Sequence, residues 1–180
     1  MPPIRKGDGT PVTPKSISQI RSGDGRILFD GVAIPDSVVS RSDDDSTSTG
    51  VTTNVGIEIS TSQEWINIQA RLSQNVSGAE EAVIWDANDG NGDIIETVDI
   101  SDKSALDVFV FEDVDLNADA NYAITVNEGD SDSLDSGFKD DADFPFVSDD
   151  GNLEIVDGAT GTPPDPSDNA HSILEVGNIE

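Results

Sequence analysis

"VTTNVGIEISTSQEWINIQARLS", residues 51–73, decides the fold. In its first half Val51, Thr53, Val55, Ile57 and Ile59 alternate with Thr52, Asn54, Gly56, Glu58 and Ser60. In its second half Ile66, Ile68, Ala70 and Leu72 alternate with Asn67, Gln69, Arg71 and Ser73. Successive side chains of an extended chain point to opposite faces, so a period of two means one face toward a core and one toward water. The stretch predicts two strands.

Downstream, strands are predicted at Ala82–Trp85, Ile94–Ile100, Leu106–Glu112, Tyr122–Asn127 and Asn152–Val156. "LDVFVFE" is apolar on both faces, which suits a central strand. No segment keeps helical spacing, and "SDKSALD" makes one turn at most. Short strands separated by frequent turn signals predict an all-β chain, an antiparallel β-sandwich of jelly-roll-like type. Gly129–Asp150 is long for a loop and holds eight Asp in 22 residues. It reads either as a functional excursion or as a hidden strand pair.

Upstream, "SRSDDDSTSTG" (Ser40–Gly50) reads as a polar linker and the domain boundary. Residues 1–45 are then an extended N-terminal docking arm, 46–160 the sandwich, and 161–180 a short C-terminal extension. In the arm, "GRILFDGVAIPD" offers a short strand near Arg26–Asp30, a turn at Asp30-Gly31 and a second apolar patch ended by Pro35. Ile17, Ile20, Ile27, Leu28 and Phe29 are the expected assembly contacts. In the extension, "ATGTPPDPSDNA" reads as extended chain and "HSILEV" as a last strand or a docking peptide.

Charge separates arm from body. The chain carries nine Lys+Arg against 37 Asp+Glu, a net charge of −28. Residues 1–41 hold six basic residues and four acids, a sum of +2; residues 42–180 hold three and 33, a sum of −30. Such an excess destabilises a compact chain by self-repulsion unless salt screens it. At about 1 M salt the Debye length is about 3 Å, and the repulsion largely vanishes. Phosphate would be repelled by this body, so nucleic acid is not an expected partner. The arm, opposite in sign, is better suited to docking on another acidic protein.

Several function classes lose their chemistry here. There is no cysteine, so neither disulfides nor thiol chemistry enter. No apolar run reaches the roughly 18 residues that a membrane span needs, and the leader lacks the apolar core of a secretory signal. A single histidine, His171, leaves few acid–base or nucleophile constellations, so a non-enzyme is expected.

"AVIWDANDGNGDIIETVDI" (Ala82–Ile100) contains the sharpest candidate site. Counted from Asp86 as a calcium loop, the third position is Asn88, but the fifth is Gly90, the sixth Asn91 and the twelfth Thr97, so the EF-hand pattern fails. Asp-Gly and Asn-Gly are strong hairpin-turn pairs, and strands are predicted on both sides. The loop reads first as a hairpin tip. Asp86, Asn88, Asp89 and Asp93 remain weak metal candidates, for loosely bound calcium or another cation; no other cofactor is expected. The Asp groups at 130/132/135, 140/141/143 and 149/150 arise readily in a chain with this many acids. Trp65 starts its strand on the face opposite Ile66 and Ile68, and is a candidate for stacking on a sugar ring, with burial in a core or between subunits as the simpler role.

Two stretches carry a family likeness. "TPKSISQIRSGDGRILFDGVAIPD" is similar to N-terminal segments of phage and prophage tail-associated proteins, through Ile17, Ile20, Gly23 or Gly25, Ile27 and Phe29. The block from Ile66 to Ala159 resembles carbohydrate-binding-module-like β-sandwiches in structural proteins of haloarchaeal tailed viruses. Arg71-Leu72-Ser73, Asn75, Ser77-Gly78, Tyr122, Ile124, Val126 and Ser148-Asp149-Asp150 follow that pattern. The likeness implies a virion protein of tail-fibre, turret or decoration type, projecting from the particle to decorate it or attach to a host. Implied partners are other virion proteins, sister copies in a homo-oligomer, and a host surface glycan or S-layer. The alternative is a carbohydrate-binding module of a haloarchaeal cell-surface or secreted protein.

Overall fold

The computed structural model describes residues 20–21, 27–29, 37–42, 44–64, 67–88, 92–129 and 133–179. Among them there are sixteen strands and no helix. In the leader, β1 (Ile20–Arg21) and β2 (Ile27–Phe29) form a two-stranded antiparallel sheet. Then follow β3 (Ser37–Ser40), β4 (Ser46–Val51), β5 (Val55–Thr61), β6 (Ile68–Leu72), β7 (Glu81–Asp86) and β8 (Asp93–Asp99). After these come β9 (Val108–Phe111), β10 (Asn121–Asn127), β11 (Leu134–Lys139) and β12 (Phe146–Val147). The chain closes with β13 (Leu153–Gly161), β14 (Pro164–Ser167), β15 (Ala170–His171) and β16 (Ile173–Asn178).

The strands stack as an antiparallel β-sandwich. One layer is a seven-stranded sheet of order β12-β13-β5-β10-β7-β8, with β14 added to β13. Opposite it lie a four-stranded sheet, β3-β16-β6-β9, and a three-stranded sheet, β15-β11-β4. The core fills the space between. Ile57, Ile59, Ile84, Ile124 and Ile155 come from the large sheet; Ile68, Leu72, Phe111, Ile173 and Val176 come from the other layer.

The large sheet is buried on both faces near its middle. In β7, Ala82 and Ile84 join the main core, while Val83 and Trp85 point the other way into a second cluster with Ala123 and Ala159. This is why "AVIWD" shows no polar alternation. Trp85 is buried, and its indole N–H donates to Thr125 Oγ1 at 2.8 Å. Gly56 of β5 lies so close to β10 that a Cβ there would collide with the Ile124 carbonyl.

Three expectations change. The polar stretch taken for a linker, Ser40–Gly50, contains most of β4, which pairs with β11. Its alternation of half-buried and exposed residues uses Ser and Thr, so hydropathy gave no sign of it. "LDVFVFE" supplies β9, which lies at the end of the four-stranded sheet and, among the described residues, pairs with β6 alone. Its phenylalanines enter the core, and its valines are half covered. Residues 161–180, expected as an extension, supply β14, β15 and β16, and β16 lies between β3 and β6. The excursion at Gly129–Asp150 contains the strands β11 and β12.

Candidate functional site

A cleft of about 670 Å³ opens at one end of the seven-stranded sheet. It lies where β5 and β7 begin and where β8, β10 and β13 end. Five separated stretches line it: Thr52–Asn54, Glu80–Glu81, Thr97 to Ser101, Asn127–Gly129, and Thr162.

Asn54 braces this end of the sheet. Its amide N–H donates to Thr162 Oγ1 at 2.7 Å, and its side-chain oxygen accepts from Asn127 at 3.2 Å. The Asn54 carbonyl accepts from the Gly161 N–H at 2.9 Å. Asn54 is buried and its side-chain bonds are partly so, and together they hold the rim in place. At the other side, Ser101 donates both its hydroxyl and its N–H to Asp99 Oδ1. Those bonds, the hydroxyl's first, hold the Asp99 carboxyl below its ordinary pKa.

Glu80, Glu81, Asp99 and Glu128 give the lining four carboxylates, with no basic residue and no histidine. Glu128 Oε2 is buried without a hydrogen-bond partner among the described residues. Carboxylate and amide oxygens accept bonds, while threonine and serine hydroxyls do both. The cleft can therefore grip a polyhydroxylated ligand and repels anions.

The candidates read from sequence fall elsewhere. β7 and β8 form the hairpin that the Asp-Asn-Gly loop predicted, with Asp86 opposite Asp93. Asp86 Oδ1 accepts from both the N–H (2.9 Å) and the amide (2.7 Å) of Asn88. Asn88 Oδ1 in turn accepts from the Asn121 N–H at 2.8 Å. These groups tie the hairpin to β10. Asp89 lies outside the described residues, as do Ile17 and Trp65. Ile20, Ile27, Leu28 and Phe29 fall in the leader's two strands. No group of three or more His, Asp or Glu among the described residues is arranged to hold a metal ion. Asp150 accepts from Ser37, Ser148 and Asn152, which pull its carboxyl down to about 2, so it shapes a turn and ties it to β3.

A second polar group is enclosed under the other layer. Arg41 donates to the Ile173 carbonyl at 2.6 Å and to Asp44 Oδ1 at 2.7 Å, and neither side chain of this ion pair is exposed. Asp44 fits only because residue 137 is glycine: a Cβ there would run into Asp44 Oδ2 and stand 2.6 Å from Ser73 Oγ. His171, opposite Phe138 in the ladder, packs its ring 5.1 Å from that of Phe138. Burial, then the nearby Arg41 charge, push its pKa down to about 4. Serine, histidine and aspartate thus share one region. Ser73 is fully buried and the Asp44 carboxylate is enclosed, so this group holds the fold rather than meeting a substrate.

Neither the cleft nor this buried group was legible in sequence. Their members are hydroxyls, amides and acids scattered over more than 100 positions, and no local spacing marks them. Compared with known proteins, the chain matches no family model, and no curated protein or solved structure matches it.

Proposed function

We propose that this chain is a non-enzymatic structural protein of a haloarchaeal tailed virus. Its sandwich projects from the particle, for decoration or attachment to the host surface, and its leader docks on other virion proteins. The observation that carries this reading is the division of charge: +2 over residues 1–30, ahead of the sandwich's first strand, and −30 over residues 42–180. A body with that excess stays dispersed in concentrated salt, while a leader of opposite sign forms ion pairs in direct contact with acidic neighbours, the range at which charge still acts when the Debye length is about 3 Å. The resemblance of both segments to virion proteins points the same way.

The reading is tested by deleting residues 1–30 and following the chain into particles. Incorporation should be lost while the sandwich still melts cooperatively. Equal incorporation without the leader would remove the docking role, and imaging that never finds the chain in a particle would remove the virion.

A second reading is favoured by the cleft. Its hydroxyl, amide and carboxylate lining suits a glycan, as in a carbohydrate-binding module of a haloarchaeal surface or secreted protein. Binding of a soluble glycan by the purified chain, lost in Asn127→Ala, would support this second reading.

A further inference from the structure

β8 ends the large sheet. Among the described residues it pairs with β7 alone, so its outer N–H and C=O groups face no strand. Ile94 is 58% exposed and Ile95 36%. An open edge bearing apolar side chains is a template for another strand.

The strand's own charges select what can add. Asp93, Glu96 and Asp99 are spaced along it. A second β8 laid antiparallel against it would bring carboxylates together, and like charges facing across strands are destabilising. The edge therefore disfavours its own copy and favours a basic strand.

β6 carries Arg71 but is already flanked by β16 and β9, whereas the leader's strands carry Arg21, no acid, and lie outside the sandwich sheets. Residues 1–36 hold five basic residues and four acids, in a chain where residues 42–180 sum to −30. Arg26 immediately precedes β2, and Arg21 closes β1. Among the described residues these two strands pair with each other and with no other strand. A hairpin alone is marginally stable in water and needs a third strand or a packed face. Among the described residues β1 and β2 join no larger sheet, and the large sheet has an edge left open. Lengths agree as well. Ile84 faces Glu96 and Trp85 faces Ile94, which leaves Ile95 as a bulge. The bulge breaks the regular edge into short pieces, and β2 has only three residues.

We propose that the open edge of β8 receives the leader hairpin of a second copy of this chain, so that copies join edge to leader. This rests on the assembly role above and names the surface and the partner. It is tested on the purified full-length chain, without particles. Failure here therefore leaves the virion reading standing, and failure to find the chain in particles leaves this contact standing.

Self-association is followed by sedimentation over a range of concentrations, at the lowest salt at which the chain still unfolds cooperatively, so that charges across the contact are not screened away. The unaltered chain should associate. Reversing the leader (Arg21→Glu with Arg26→Glu) should weaken association about tenfold or more, as should reversing the edge (Asp93→Lys with Glu96→Lys). Combining both reversals should restore it. A chain that stays monomeric at every concentration overturns the proposal, and so does association indifferent to either reversal. Because the chain has no cysteine, a second measurement is available should the reversals misfold. Leu28→Cys mixed with Ile94→Cys should give a disulfide-linked dimer on oxidation, whereas Leu28→Cys mixed with Gln74→Cys should not. Equal yields from the two mixtures would also overturn it.

Discussion

Removing the Asp44 carboxylate leaves the Arg41 guanidinium charged, enclosed and short of its counter-ion. Both side chains are shut off from solvent. Breaking a buried pair from one side costs about 3–5 kcal/mol, far more than the pair itself contributes. Asp44→Ala should therefore lose about that much in urea unfolding. His171 beside this pair sets a pH dependence of definite sign. Its folded pKa, about 4, lies below its ordinary value of 6.5, so the unfolded chain binds the proton more readily. Its contribution is complete above about pH 6.5 and is lost as pH falls toward 4. Relative to His171→Gln, the unaltered chain should lose about 2–3 kcal/mol of stability between pH 7 and pH 4. A difference that stays flat across that interval would contradict the burial of the ring. Glu58 works the other way, since burial raises its pKa, and the comparison with the variant cancels its effect.

At the scale of elements, the last strand is the clearest case of a segment whose local sequence understates its place. "HSILEV" reads equally as a strand or as a docking peptide. In the fold, β16 pairs with β3 on one side and β6 on the other. Ile173 and Val176 are wholly buried, and Ile179 nearly so. Each such side chain contributes roughly 1.5–3 kcal/mol by burial, and a domain's whole stability is about 5–15 kcal/mol. A chain ending at Gly161 should therefore show no cooperative thermal transition. A sharp melt near that of the full chain would mean that β16 is dispensable. Strands built on Val, Ile and aromatic alternation were legible, as in β5, β6 and β10. β4 was not, because "STSTGV" has the period of a strand without its hydropathy.

For the whole molecule, charge is the controlling term. A net −28 spread over one sandwich opposes compaction at low ionic strength. Unfolding should be cooperative in molar salt, and near-ultraviolet circular dichroism should fade as salt is dialysed away. A transition midpoint indifferent to salt would show that the acids sit too far apart to repel. The four described ion pairs do little to offset this: three lie at the surface, where such pairs are worth little.

Sequence by itself determined the all-β class, the antiparallel hairpin at Asp86–Asp93 and the opposition in charge between leader and body. Each rests on local information, either a period of two, a turn dipeptide or a count of charges. Only the tertiary structure decided that residues 161–178 belong inside the sandwich and that β9 lies at an edge. It also decided that five distant stretches form one polar cleft and that Asp44 is enclosed against Gly137. Those outcomes depend on which strands become neighbours, and strand order is set by packing across the whole core.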